Sequence, residues 1–409
     1  MIRPRATRLV VAAACLAIAS PSALSAQSAS GASALRPDTV LTPPGGPTLI
    51  RLSAPGSGLT ALRLSIPIEE SGVEAGAGQI LALLGVDRAR AAGAAIGARV
   101  EGARTPWGIA YTVVGASEDF DYLAYVLREA VAEPRLERVE LERARTRVRE
   151  EAERMRETGG GRLGLDLRAG AAPGSLPLAG SPESLDGLTV AMVRDLWARS
   201  HRRASMSLVI VGSEPLELVL ASLKEIGSPG PGSTSVAPTP LPSGRAARID
   251  VLRTWYGEAW VAGDAREPRS AVAAALIAGR LREQEPGFRA DVELWDVDEV
   301  RVLAVTGAAY PAGAAAMRRR VQGMLAEITA RLDREAVAPA VAALRLEVLA
   351  LARTPWGLAA HVGRAYDATG DPRAAHQQML ALERVDADAM RAFLMDLQER
   401  APVRSELRP

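Results

Sequence analysis

Cysteine is almost missing from this chain: Cys15 is the single one among 409 residues. It sits inside an apolar run, Leu9–Ala19, that follows Arg3, Arg5 and Arg8 and precedes the small residues of Ser22–Ala26. Basic, apolar and small stretches in that order form a secretory signal peptide, with cleavage expected near Ala26. Ser20 and Pro21 interrupt the run well short of the roughly 20 apolar residues of a membrane span, and no later segment looks transmembrane. Of the 409 residues, 26 would go, leaving 383 in an exported chain, periplasmic or secreted. That chain has no cysteine, which excludes internal disulfides and any thiolate nucleophile or ligand.

Other absences narrow the function further. Lys224 is the sole lysine, arginine serving as the cation, and the formal charge is only +1. The leader carries three arginines and no acid, so the remainder is near −2. No basic surplus draws the chain to nucleic acid. The histidines number three, His201, His361 and His376, scattered so that none has a partner at metal-ligand spacing. His201 is expected in a loop and the other two on or beside surface helices. There is no Gly-x-Ser-x-Gly elbow and no phosphate-binding glycine loop with a following Lys-Ser/Thr.

What is present has the length and pattern of two domains. Residues 27–45 are small, polar and turn-forming, a flexible tail. A second such stretch, Pro-, Gly- and Ser-rich at 227–245, reads as a linker; it separates residues 46–226 from 246–402 and leaves the two free to hinge. The first half opens with the alternation Leu62, Leu64, Ile66, then turns helical from Val73. Two short strands follow, Ala95–Val100 and Ile109–Val114, joined by a turn at Thr105-Pro106. Helices are expected over Asp119–Ala132 and Leu136 to Arg156, the second ending at Gly159-Gly160-Gly161. Ser181 with Pro182, and Thr189, read as helix N-caps, ahead of a strand at Ser207–Gly212 and a helix at 215–226. The second half repeats the plan, with strands near Ile249–Val261 and Val300–Thr306 and helices at 271–282, 314–332, 334–352 and 387–398. Arg-Thr-Pro-Trp-Gly occurs twice, at 104–108 and 353–357, in contexts too different to be a structural repeat.

These parts, in order, resemble the insulinase/pitrilysin family, particularly its two-domain, half-length members similar to mitochondrial processing peptidase subunits. The matching stretches are Leu62–Glu70, Gly76–Leu84, Ile96–Val114, Leu141–Glu153, Gly180–Leu185 and Leu208–Gly212. The resemblance implies an α+β fold of two similar α/β domains in tandem, each a mainly antiparallel sheet packed with helices. Active members carry His-x-x-Glu-His on the first helix: two imidazoles one turn apart hold Zn²⁺, and the glutamate takes a proton from the bound water. Laid on that motif, this chain has Gln79 and Leu83 at the histidines and Ala82 at the glutamate, and residues 62–104 contain no histidine. With Leu83 there, that helix face is expected to pack as core. The third ligand would fall on Glu150 or Glu151, which alone on a charged helix reads as surface charge.

Active relatives also use an arginine and a tyrosine of the second domain to hold substrate. Arg282 matches the arginine and Ala290 falls at the tyrosine. Arg282 equally suits the end of a helix, where its charge favours the last carbonyls. No zinc or other cofactor is expected. The resemblance implies a non-catalytic homologue, a partner subunit that helps form the substrate chamber of a zinc-bearing insulinase-family paralogue in a heterodimer. The alternative is a peptide- or protein-binding scaffold of the cell envelope acting without a peptidase. An independent metalloendopeptidase is the reading least compatible with the lost imidazoles.

Overall fold

The computed structural model describes residues 32–54, 56–222, 224–229, 253–264, 266–283, 289–297, 300–309 and 314–408. The expected leader, residues 27–31 of the expected tail and the expected linker from 230 onward lie outside the described residues. So does 284–288, between Arg282 and the strand that carries Ala290.

Before the linker the chain runs β1 (Thr39–Leu41), β2 (Thr48–Leu52), β3 (Leu59–Pro67), α1 (Ala77–Gly93), β4 (Arg99–Thr105), β5 (Gly108–Ala116) and α2 (Phe120–Val131). It continues through α3 (Arg138–Glu157), α4 (Gly159–Ala171), α5 (Pro182–Gly187), α6 (Val190–Ser200), β6 (Ser207–Val211) and α7 (Leu216–Ser222). The strands form one sheet in the order β1-β2-β6-β3-β5-β4, parallel at β2/β6 and otherwise antiparallel. Beyond the linker come β7 (Thr254–Asp264), α8 (Pro268–Glu283), β8 (Arg289–Val297), β9 (Val300–Ala309), α9 (Ala314–Arg331) and α10 (Arg334–Ala352). The chain ends with α11 (Pro355–Thr369), α12 (Ala374–Glu383), α13 (Ala387–Glu399) and β10 (Val403–Leu407). The second sheet, β10-β7-β9-β8, is antiparallel throughout.

The alternation on β3 sorts its side chains between two cores, because successive residues of a strand point to opposite faces. Leu62, Leu64 and Ile66 face α1, α2 and α6, with Ile80, Leu123, Leu127 and Leu196 among their buried neighbours. Ala61 faces the other way, into a core completed by Leu358, Ala359, Val362 and Ala365 of α11. The exchange is reciprocal. Leu163, Leu167 and Ala171 of α4, spaced one helical turn apart, pack on Ala259, Val302 and Ala304 of the second sheet. Each sheet is thus covered on one face by its own helices and on the other by a helix from the opposite half. The halves are therefore not free to hinge about the linker, as separate domains would be: separating them would expose two apolar cores.

Three further sequence expectations change. The glycines at 159–161 begin α4 rather than merely ending α3. Thr158 caps it, accepting from the Gly161 amide at 3.1 Å, and Gly159 lets Trp255 approach where a Cβ would lie 2.2 Å from its indole nitrogen. The tail is partly structure: Leu35 is fully buried and Thr39–Leu41 is a paired strand. Ala95–Val100 is not a strand from its start, since 94–96 form a 3-10 turn and β4 begins at Arg99. Ser181 and Thr189 do cap α5 and α6, accepting from Ser184 and Met192 amides at 3.1 and 3.2 Å. Among the described residues, no helix is long and apolar enough to cross a membrane.

Candidate functional site

The region that the resemblance assigns to metal chemistry is the entry to α1. β3 delivers the chain to Glu70, a 3-10 turn follows at Gly72–Glu74, and Gly76 turns the chain into the helix with φ of 96°. That φ is left-handed, and a Cβ at Gly76 would lie 2.9 Å from the Ala179 carbonyl, so the turn requires glycine. Gln79 and Leu83, one turn apart, share a half-buried face, whereas Ala82 is fully buried in the first core. Leu83 packs against that core from its margin, which is less burial than a true core position. Glu150 and Glu151 are both exposed on α3. Among the described residues, no group of three histidine, cysteine or acidic side chains comes together as metal ligands would.

The charged chemistry at this entry belongs to residues that the motif comparison passes over. Glu70 Oε1 accepts from the Gly78 amide at 2.7 Å, so its carboxylate satisfies an otherwise unpaired N–H in the first turn of α1 and sits favourably at the helix's positive end. Its Oε2 accepts from Arg104 Nε at 3.2 Å. The Arg104 and Glu70 side chains are 7% and 2% exposed. Arg104 also donates to the carbonyls of Thr105 and Gly108, the latter at 3.0 Å, tying the pair to the β4–β5 turn. Gly78 leaves the room this needs, since a Cβ there would lie 3.0 Å from the Arg104 side chain. Deeper along the helix the Tyr111 hydroxyl donates to the Leu81 carbonyl at 3.1 Å, and burial raises its pKa. The local signal for Arg104 was its place beside Thr105-Pro106; nothing nearby in sequence points to Glu70, its partner across 34 residues.

The histidines are dispersed. His201 is not an open loop residue: it follows α6 directly, is 1% exposed, stacks on Trp197 and bonds Ser200 Oγ through Nδ1 at 2.9 Å. Burial pushes its pKa down to about 3, with the Arg88 charge adding to the effect, so it is a neutral packing element. His361 lies half-buried on α11, its pKa lowered to about 4 by burial and then by Arg364. His376 on α12 contacts the Ala32 carbonyl through Nδ1 at 2.8 Å. Arg282 belongs to the last turn of α8, and its side chain lies outside the described residues. Ala290 pairs with Gly307 in the second sheet.

No family model matches the chain, and no curated protein matches it. Solved structures do. A protease from Helicobacter pylori superposes with a TM-score of 0.75 at 13% identity, over 91% of this chain and 100% of that one. An M16-like peptidase from Alicyclobacillus acidocaldarius gives 0.72 at 17% identity, over 90% and 97%. A peptidase M16 inactive domain from Pseudomonas fluorescens also gives 0.72, at 12% identity and the same coverage of 90% and 97%. With two sheets in tandem, each layered with helices, and near-complete overlap with these structures, the chain has the fold of the M16, or insulinase-like, peptidases.

Proposed function

We propose that the protein is a non-catalytic M16 homologue, exported from the cell, that works as the partner subunit of a zinc-bearing paralogue. The observation that carries this reading is the entry to α1. A buried Glu70–Arg104 pair holds the helix start, while Gln79, Ala82 and Leu83 stand where two imidazoles and a general base are needed. Tetrahedral zinc takes nitrogen, sulfur or carboxylate ligands, and the half-buried face of α1 offers an amide and a leucine. Glu70 cannot readily serve instead, because both its oxygens are already engaged. That a structure of the same fold is described as an inactive M16 domain supports a scaffold kept without its chemistry. In a partner subunit the scaffold's value is its shape, which completes a chamber around another chain's metal.

Mixing the protein with a His-x-x-Glu-His paralogue from its own host tests the assignment. A 1:1 complex on size exclusion, with raised peptidase activity, is expected. A paralogue fully active alone that never co-elutes with this chain would remove the partner role and leave an envelope scaffold that binds peptides without cleaving them.

A further inference from the structure

Helix α10 is apolar almost all round: from 336 to 352 only Arg345 and Glu347 carry charge, and every other residue there is apolar. A helix of that composition belongs inside a protein, yet Val337 is the only residue of α10 that is fully buried. Val337, Val341, Leu344 and Val348 turn inward, against the cores built with α8 and α11. The opposite face, with Ala338, Pro339, Ala342, Leu346 and Ala350, is exposed, Leu346 to 51%. A single exposed leucine is ordinary. A contiguous apolar stripe about three turns long marks a surface that another molecule covers.

Opposite charges bound the stripe. Glu335 lies in the first turn of α10, and Arg353 follows its last turn with a backbone still helical, φ −71° and ψ −15°. Both are exposed, and neither is in an ion pair among the described residues. Each sign suits its own end of the helix dipole, but the dipole does not require the two to share a face. They do share one: at 100° per residue, the 18 positions from Glu335 to Arg353 make five complete turns. Ala342 and Leu346 fall within about 20° of the same line. The pattern is self-complementary when reversed. A two-fold axis level with Leu344, midway between the two charges, sets Glu335 of one copy against Arg353 of another, Ala338 against Ala350, and Ala342 against Leu346. Each contact then occurs twice, as an isologous interface requires. The alanines let two helix axes approach to about 8–10 Å, and Leu346 of each copy fills the space over Ala342 of the other. Arg345, beside the middle of the stripe, is already paired with Glu383 at 3.1 Å.

We propose that the exposed face of α10 is a docking surface for a second copy of this chain, the two α10 helices pairing antiparallel about a two-fold axis at the level of Leu344. The face belongs to the second half of the chain, and the pairing stands whether or not the α1 half serves a zinc peptidase. One helix pair is smaller than the interface of a permanent dimer, so association is weak and reversible. Sedimentation equilibrium of the protein alone, at low salt and from micromolar concentration to about 1 mM, should show a monomer–dimer equilibrium. Leu346→Asp, at a position already exposed, should abolish it while the far-UV circular dichroism stays native. Glu335→Arg or Arg353→Glu alone makes both end contacts repulsive and should weaken association about tenfold. The double variant Glu335→Arg/Arg353→Glu restores opposite charges in this register alone, and should return to within about threefold of the native chain. The proposal is overturned if the native protein stays monomeric throughout, if Leu346→Asp dimerises as well as the native chain, or if the double reversal is no better than the single ones.

Discussion

Replacing Arg104 by methionine isolates the contribution of the buried pair at the entry to α1. The side chain keeps much of its length, so the change is mainly one of charge. Glu70, 2% exposed, would lose the one cation that pairs with it among the described residues and keep a neutral donor, the Gly78 amide. Breaking a buried pair by removing one partner costs about 3–5 kcal/mol, because the remaining charge stays desolvated. The positive end of α1 offsets about 0.3–1 kcal/mol of this, and two turn carbonyls lose their donor. About 3–4 kcal/mol is therefore expected for Arg104→Met, a large share of the 5–15 kcal/mol typical of a domain. The double variant Glu70→Gln/Arg104→Met should recover about half of it. A neutral amide oxygen still accepts from Gly78, and no charge is left buried. Urea unfolding of the native chain, the single variants and the double variant completes the cycle. If Arg104→Met lies within about 1 kcal/mol of the native protein, or the double variant is no more stable than that single one, the pair does not hold the helix start.

Other outcomes follow from the same geometry. After dialysis the protein should retain no stoichiometric zinc by metal analysis; one tightly held ion per chain would sink the non-catalytic reading. Leu83→Asp should cost about 1–2 kcal/mol rather than the larger penalty of a core site, since Leu83 is half-buried; thermal unfolding reads this, and an unchanged midpoint would mean that face is open. The pKa values of His201 and His361, lowered to about 3 and about 4, make unfolding take up protons. Both groups titrate near 6.5 once unfolded, so their contribution is complete above pH 6.5. As pH falls below that value stability declines, by up to about 1.4 kcal/mol per pH unit for each. The His361 share ends near pH 4 and the His201 share near pH 3. His201→Phe should remove one proton's worth of that slope in urea midpoints measured at successive pH values, and an unchanged slope would show that His201 is not buried neutral.

Local patterns made much of the first half legible. The Leu62–Ile66 alternation, the turn at Thr105-Pro106 and the Ser181 and Thr189 caps depend on residues within a few positions of each other, and each appears where the pattern placed it. The absence of imidazoles at Gln79 and Leu83 is likewise a property of the sequence alone. Tertiary structure decided what depends on distant partners. The same pentapeptide, Arg-Thr-Pro-Trp-Gly, turns the β4–β5 hairpin at 104–108 and starts α11 at 353–357, where Thr354 accepts from the Gly357 amide at 3.0 Å. In the first setting pairing with β3 brings Gly108 so close that a Cβ would lie 2.0 Å from the Ile66 carbonyl; in the second, the first sheet covers the helix. Helices α4 and α11 were hidden because the apolar surfaces that stabilise them lie in the opposite half of the chain. Glu70 and Arg104, 34 residues apart, and Arg63 and Asp367, 304 apart, are ordinary surface charges until folding removes water from both members of each pair. Sequence thus determined which ligands this chain lacks and where the Ser181 and Thr189 caps and the β4–β5 turn fall. Only the exchange of helices between the halves, driven by burial of two apolar faces, decided which charges meet.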